Sequence, residues 1–251
     1  MKRFVRKISS VIFLSGALVS CAASGGPVTP DGSPLRLVEE KDYLVNFTKG
    51  ETPDTFFFSN KYKNGYPFNC YWTYEAGKLV DGSMEMSVYK KDGYYYGAEY
   101  RSRAGDFHYG YYAVNLKAAN CSGVISSFFT YTHSPVWDEI DIEFLGKNLN
   151  QVQFNYYTNG KGNHEYVYNL GFNASEDFHE YGFEWLENSI TWYVDGVKVY
   201  TATENIPTHP QYLMMNVWNC TGHDVWSGRL DESKLPARAY YKYFAYIPAN
   251  S

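Results

Sequence analysis

Residues 137–146 read W-D-E-I-D-I-E-F-L-G. Isoleucine and phenylalanine favour strands, whereas acids are poor strand formers. The two tendencies are reconciled if the stretch is a strand whose alternate side chains share a face. Trp137, Glu139, Asp141 and Glu143 then point one way, and Asp138, Ile140, Ile142 and Phe144 the other. The apolar set supplies a buried face. The opposite face carries a ring and three carboxyl groups, with no Lys or Arg to interrupt them.

Such a row of like charges is destabilising unless something uses it, and three uses are open. A solvated surface is one, although solvated faces usually mix signs. A calcium site is another, but calcium prefers oxygens spread over a flexible loop. The third is glycoside hydrolysis, which needs two carboxyl groups flanking a sugar bond. Glu139 and Glu143 would have Cα atoms ~13 Å apart at ~3.3 Å per residue. Side chains leaning inward can close that to the ~5–5.5 Å gap of a retaining enzyme. Asp141, between them on a shorter stem, can hydrogen-bond the nucleophile and through its charge raise the neighbouring acid's pKa. Two carboxyl groups must hold opposite protonation states, and a like-charge row promotes that split.

The rest of the chain supports a sheet. Alternating runs recur at 84–89, 109–116, 152–157, 181–185 and 190–194, separated by turn residues. Asp195-Gly196, Asp92-Gly93 and Asn159-Gly160 are two-residue turn signals. Helical periodicity is confined to one short candidate at 174–178. The pattern predicts an all-β fold, a jelly-roll β-sandwich of two antiparallel sheets, filling residues 37–251 as one domain.

Before that domain, Lys2, Arg3, Arg6 and Lys7 precede an apolar stretch at 8–19 that is too short to span a bilayer. It ends in L-V-S-C, so residues 1–21 read as a signal peptide with a lipobox whose Cys21 takes the lipid. Residues 22–36, rich in Gly, Pro and Ser, read as a flexible linker. The expected location is outside the cell or on its surface, with a lipid anchor as the sole membrane contact. Net charge is −5 and there is no basic run beyond the leader, so a nucleic-acid partner is excluded. Aromatic residues make up 19% of the chain, with 26 Tyr. So many hydroxyls exceed what a core can satisfy, which leaves a Tyr-rich surface or a ring-lined cleft.

The acidic strand resembles the active-site strand of glycoside hydrolase family 16. With no extra residue between Ile142 and Glu143, it is similar to the lichenase branch, the bacterial endo-β-1,3-1,4-glucanases; many laminarinases of the family insert a residue there. Similarity continues through F-N-C-Y-W (68–72), A-E-Y-R-S (98–102), S-S-F-F-T-Y (126–131), V-Q-F-N-Y-Y-T-N-G (152–160), W-Y-V-D-G-V (192–197) and M-M-N-V-W-N (214–219).

The resemblance implies a concave cleft in which Glu139 is the nucleophile, Glu143 the general acid/base and Asp141 the assisting carboxylate. It implies a β-glucan substrate, no required cofactor and a monomer. Tyr62, Asn64, Glu99, Arg101, Phe129, Tyr131, Trp137, Asn155, Tyr157, Asn216 and Trp218 match sugar-contacting positions. Rings suit the apolar faces of glucose, and amides, acids and guanidinium groups suit its hydroxyls. Rival readings are a β-1,3-glucanase or xyloglucan-active enzyme of the same family, and a non-catalytic glucan-binding lipoprotein. The intact acid set argues against the last.

Two departures from the family pattern matter. Lichenases often join the F-N-C cysteine to the residue before A-E-Y-R-S, but here Cys70 faces Gly97. In the implied topology Cys121 and Cys220 fall near one rim, so a Cys121–Cys220 disulfide is expected, with Cys70 free. Family members also hold a structural calcium with an aspartate near the C-terminus. Lys242 stands at the matching position, which argues against a metal there, although backbone carbonyls could still contribute.

Overall fold

A computed structural model describes residues 43–249. The leader, Cys21 and the 22–36 linker lie outside the described residues. Strands among those described are β1 (Tyr43–Asn46), β2 (Phe56–Phe58), β3 (Tyr71–Trp72), β4 (Gly77–Val80), β5 (Ser83–Lys91), β6 (Tyr94–Ser102), β7 (Gly110–Lys117), β8 (Val124–Tyr131), β9 (Glu139–Leu145), β10 (Gln151–Tyr157), β11 (Tyr166–Asn169), β12 (His179–Leu186), β13 (Ser189–Val194), β14 (Val197–Ala202), β15 (Tyr212–Asn219) and β16 (Ala237–Pro248).

One layer runs β11-β10-β9-β8-β15-β6 and the other β5-β16-β7-β12-β13-β14, joined where β5 pairs with β6. This is the expected jelly roll of two antiparallel sheets. The hairpin dipeptides behave as their chemistry requires. Asp195 and Gly196 have φ of 48° and 75°, and Asp92 and Gly93 have 51° and 82°, the paired positive values of a turn that matches strand twist. Residues 174–178 form a turn instead of a helix, and the short α-helix lies at Asp224–Ser227.

The layers meet through large rings. Phe144 packs edge-on against Tyr181 at 4.6 Å, and Phe154 stacks on Trp192 at 5.6 Å. Ile140, Ile142 and Phe144 are fully buried, each stabilising the fold by about 1.5–3 kcal/mol relative to exposure. Two polar pins cross the core to the cleft strands. Trp192 Nε1 donates to the Asp141 carbonyl at 3.2 Å, and Tyr241 Oη to the Ser127 carbonyl at 3.2 Å. An indole or phenol with its polar tip satisfied fixes the height of the opposite sheet without leaving a buried donor unpaired.

The expected Cys121–Cys220 disulfide is absent: both are free thiols, as is Cys70. The backbones do approach, since Cys220 N donates to Gly123 O at 2.9 Å. The thiols diverge, however. Cys121 Sγ lies 3.3 Å from the Asp231 carbonyl and packs in the main core, whereas Cys220 sits with Cys70 and Trp72 in a separate small cluster. Cys70 does lie against Gly97, where an added Cβ would come within 2.7 Å of its Sγ. Burial pushes the Cys70 thiol up to about 12, which makes it unreactive.

At the position where the resemblance asks for an acid, Lys242 holds its ammonium 4.1 Å over the Phe178 ring. Among the described residues no group of three or more His, Cys, Asp or Glu is arranged to hold a metal ion. A cation already packed there does not fit a divalent metal.

Candidate active site

Strand β9 sits between β8 and β10, and the register aligns the functional positions in rows across the sheet. Tyr212, Tyr131, Glu139 and Tyr157 form one row; Arg101, Met214, Phe129, Asp141 and Asn155 the next; Asn216, Ser127, Glu143 and Gln153 a third. This places Glu139, Asp141 and Glu143 on one face, as the alternation predicts. A cavity of about 600 Å³ lies over that face, lined by Tyr62, Asn64, Glu99, Arg101, Phe129, Tyr131, Trp137, Glu139 and Asn216. Nine of the expected site residues therefore meet in one cleft.

The acids differ in what reaches them. Glu139 accepts from Trp137 Nε1 at 2.8 Å, and Glu143 from Gln153 Nε2 at 2.9 Å. Burial, eased by Trp137 and Asp141, pushes Glu139 up to about 7. Burial and the Glu139 charge push Glu143 up to about 8. Asp141 is pushed well above the carboxylate range by burial and by its two acidic neighbours. A hydrogen bond between the two carboxyl groups adds to the rise at Asp141 and eases that at Glu139.

Tyr62 Oη donates to Glu99 at 2.9 Å, and Ser59 Oγ donates to the same carboxylate oxygen at 2.5 Å. Asn64 accepts from Trp72 Nε1 at 3.0 Å. The Arg101 guanidinium lies over the Tyr212 ring at 4.8 Å and is 4.0 Å from Glu99. It also bonds His133 Nε2 at 2.7 Å. A guanidinium has no acceptor, so the imidazole accepts and is neutral, with its proton on Nδ1. Burial and Arg101 both hold the His133 pKa below the usual value.

Two expected contacts, Asn155 and Trp218, are placed differently, and Trp137 reaches its place by another route. Trp137 lies outside the strand, at φ 49°, yet its ring reaches the cleft by stacking on Tyr157 at 5.1 Å. Asn155 is buried and spends its side-chain oxygen on Tyr156 N at 2.9 Å. Trp218 is covered by Phe68, which stacks on it at 4.0 Å, so it supports the cleft floor from below.

Sequence reasoning missed three residues. Gln153 was legible by parity, two positions before Asn155 in V-Q-F-N-Y-Y. Asp138 was legible as an acid on the isoleucine face, where burial demands partners. It is fully buried and accepts from Asn159 N at 2.7 Å, His209 Nδ1 at 2.9 Å, Thr208 N at 3.2 Å and His209 N at 3.3 Å. His133 had no sequence signal, since its partner lies on another strand.

The model of the family described as glycosyl hydrolases family 16 matches residues 64–235. A xylanase/beta-glucanase of Ruminococcus flavefaciens is 45% identical over 215 residues, covering 81% of this chain and 26% of that protein. A beta-glucanase of Acetivibrio thermocellus is 48% identical over 195 residues, covering 74% of this chain and 57% of that protein. The chain thus spans between a quarter and three-fifths of the length of these two relatives. A crystal structure of a prokaryotic beta-1,3-1,4-glucanase (lichenase) from a mouse hindgut metagenome superposes with a TM-score of 0.78 at 45% identity, covering 83% of this chain and 100% of that one.

Proposed function

The chain belongs to the glycosyl hydrolases of family 16, and from that premise we propose that it is a retaining endo-hydrolase of mixed-linkage β-1,3-1,4-glucans, cleaving their β-1,4 bonds. The observation behind this reading is the acid row itself: Glu139 and Glu143 share a face of β9 on either side of Asp141, with Trp137 Nε1 donating to Glu139 and Gln153 Nε2 donating to Glu143. Glu139, as carboxylate, attacks the anomeric carbon while Glu143 donates its proton to the leaving oxygen. The glycosyl–Glu139 ester then takes water from which Glu143, now a base, removes a proton, and configuration is retained. Asp141, neutral, steadies the Glu139 carboxylate by donating to it, and Trp137 Nε1 does the same from outside the strand. Tyr62, Asn64, Glu99, Arg101, Tyr131 and Asn216 bind sugar hydroxyls and ring faces along the cleft, with no metal step.

Hydrolysis of barley β-glucan, laminarin and carboxymethyl-cellulose tests the substrate class. Cleavage of the first in preference to the other two is expected; faster cleavage of laminarin would overturn the assignment. Glu139→Ala should lower turnover by about four orders of magnitude or more. Azide should then restore it with an inverted glycosyl azide product, and an active Glu139→Ala enzyme without azide would end this mechanism.

The enzyme also reads as an exported, monomeric lipoprotein, tethered at Cys21 through residues 22–36. The basic residues, short apolar stretch and L-V-S-C support this. Cys21→Ala should release the protein from a membrane fraction into the medium.

A further inference from the structure

A second group of rings stands outside the cleft. Tyr94 and Tyr96 share one face of β6, Tyr71 on β3 pairs beside Tyr96, and Tyr89 on β5 lies opposite it. The Tyr71 ring is 5.9 Å from Tyr94 and 6.1 Å from Tyr96, and Tyr96 stacks on Tyr89 at 5.2 Å. Tyr94 is 57% exposed. A hollow of about 260 Å³ opens over Tyr71, Tyr94 and Tyr96, and Asn60, Lys61 and Thr73 supply polar groups at its rim.

The hollow is continuous with the cleft wall. Trp72 N donates to Tyr62 O at 2.8 Å, and Lys61 N donates to Trp72 O at 2.9 Å. Tyr62 lines the cleft and its neighbour Lys61 lines the hollow. Residues 60–62 therefore stand between the cleft and the hollow. Rings packed against one another are held in place before any ligand arrives, which limits the entropy lost on binding. A β-linked glucose unit offers apolar C–H faces to a ring and hydroxyls at its edge to an amide or ammonium.

We propose that the Tyr71–Tyr94–Tyr96 hollow is an auxiliary binding platform for a β-linked glucan chain, holding polymer beside the cleft instead of within it. The ligand class rests on the reading of the cleft as a β-glucan site. The platform gives the exposed Tyr94 and the half-buried Tyr71 and Tyr96 a use that the core and the reacting centre do not.

Native gels containing barley β-glucan test it, with Glu139→Gln as the parent to prevent digestion. Adding Tyr71→Ala and Tyr94→Ala should weaken retention about fivefold or more, the effect of truncating large aromatic anchors. Adding Tyr94→Trp alone should keep retention or tighten it. Unchanged retention in the double alanine variant would overturn the platform, as would loss of retention with Tyr94→Trp. An equal fall in kcat/KM for a short aryl β-glucotrioside, measured with Glu139 intact, would also overturn it by placing the rings in the cleft. Retention by dextran sulfate in place of β-glucan would overturn the ligand class. Failure of the intact enzyme to cleave any β-glucan would sink the catalytic reading, while gel retention would still report on the platform.

Discussion

Asp138 and Glu139 are sequence neighbours on opposite faces of one segment, and the protein treats their carboxyl groups in opposite ways. Asp138 is sealed from water but receives four N–H donors, three of them from the 208–209 turn. Glu139 and Glu143 each receive a single neutral side-chain N–H. Converging donors offset the cost of burying a polar group; a carboxyl group given few of them and set among acids is pushed up instead, as Glu139 and Glu143 are. Donor supply thus separates an anchoring acid from reactive ones, and burial alone does not.

The sharpest way to break this comparison is to remove the anchor. Asp138→Ala leaves backbone donors of two turns buried without an acceptor and should destabilise the protein by about 3 kcal/mol. Activity should fall as well, because Gly160 N, beside the Asn159 that Asp138 holds, donates to the Trp137 carbonyl at 2.8 Å. Urea denaturation with a loss below about 1 kcal/mol would show that the four donors find other partners.

The cleft acids should respond with the opposite sign. Glu143 is pushed up to about 8 in the fold, against an ordinary value near 4.3. The native state therefore binds more protons than the unfolded state between those values, and stability contributed by the protonated form is lost as pH rises through that window. Glu143→Gln is permanently neutral and escapes the loss. Its melting temperature relative to the parent should be higher at pH 8 than at pH 4.5; a constant difference across that range would refute the raised pKa. With Glu143 intact, kcat/KM should follow a bell with flanks near 7 and 8, values that belong to the coupled pair.

Period-two alternation made the sheet and the acid row legible, because strand register is strongly specified where one face is buried. It put the Trp137 ring beside the acids, where it lies, although the strand begins at Glu139 and the indole arrives through a left-handed turn. It also put Trp218 in the cleft, where parity is right but Phe68 from a distant loop covers the ring. The disulfide failed for a related reason: topology brings two backbones together, but side-chain direction decides whether sulfurs meet. What stayed illegible is whatever joins segments far apart in the chain. Asp138 takes its donors 21 and 70 residues further on, and His133 meets an arginine 32 residues before it.

His133 and His209 extend the comparison from acids to imidazoles, with a smaller expected effect. His209 donates through Nδ1 to the Asp138 carboxyl group at 2.9 Å, whereas His133 accepts through Nε2 from the Arg101 cation at 2.7 Å. A proton on His133 would abolish that acceptor and set two cations together. Facing the imidazole are Arg101 from β6, Tyr131 from the end of β8 and Tyr212 from β15, with Glu139 opposite Tyr131 in register. Burial and Arg101 lower its pKa, so the bond is intact through neutral pH and is lost as pH falls below the usual histidine range near 6.5. Losing a hydrogen bond to a charged group should then raise KM for barley β-glucan by roughly three- to tenfold on the acid side. His133→Gln offers an amide oxygen to Arg101 at every pH and should flatten that rise while leaving the acid limb of kcat to Glu139. A KM profile in His133→Gln that still climbs below pH 6.5 would place the titrating group elsewhere and leave Arg101 held by Glu99, Tyr212 and Phe57.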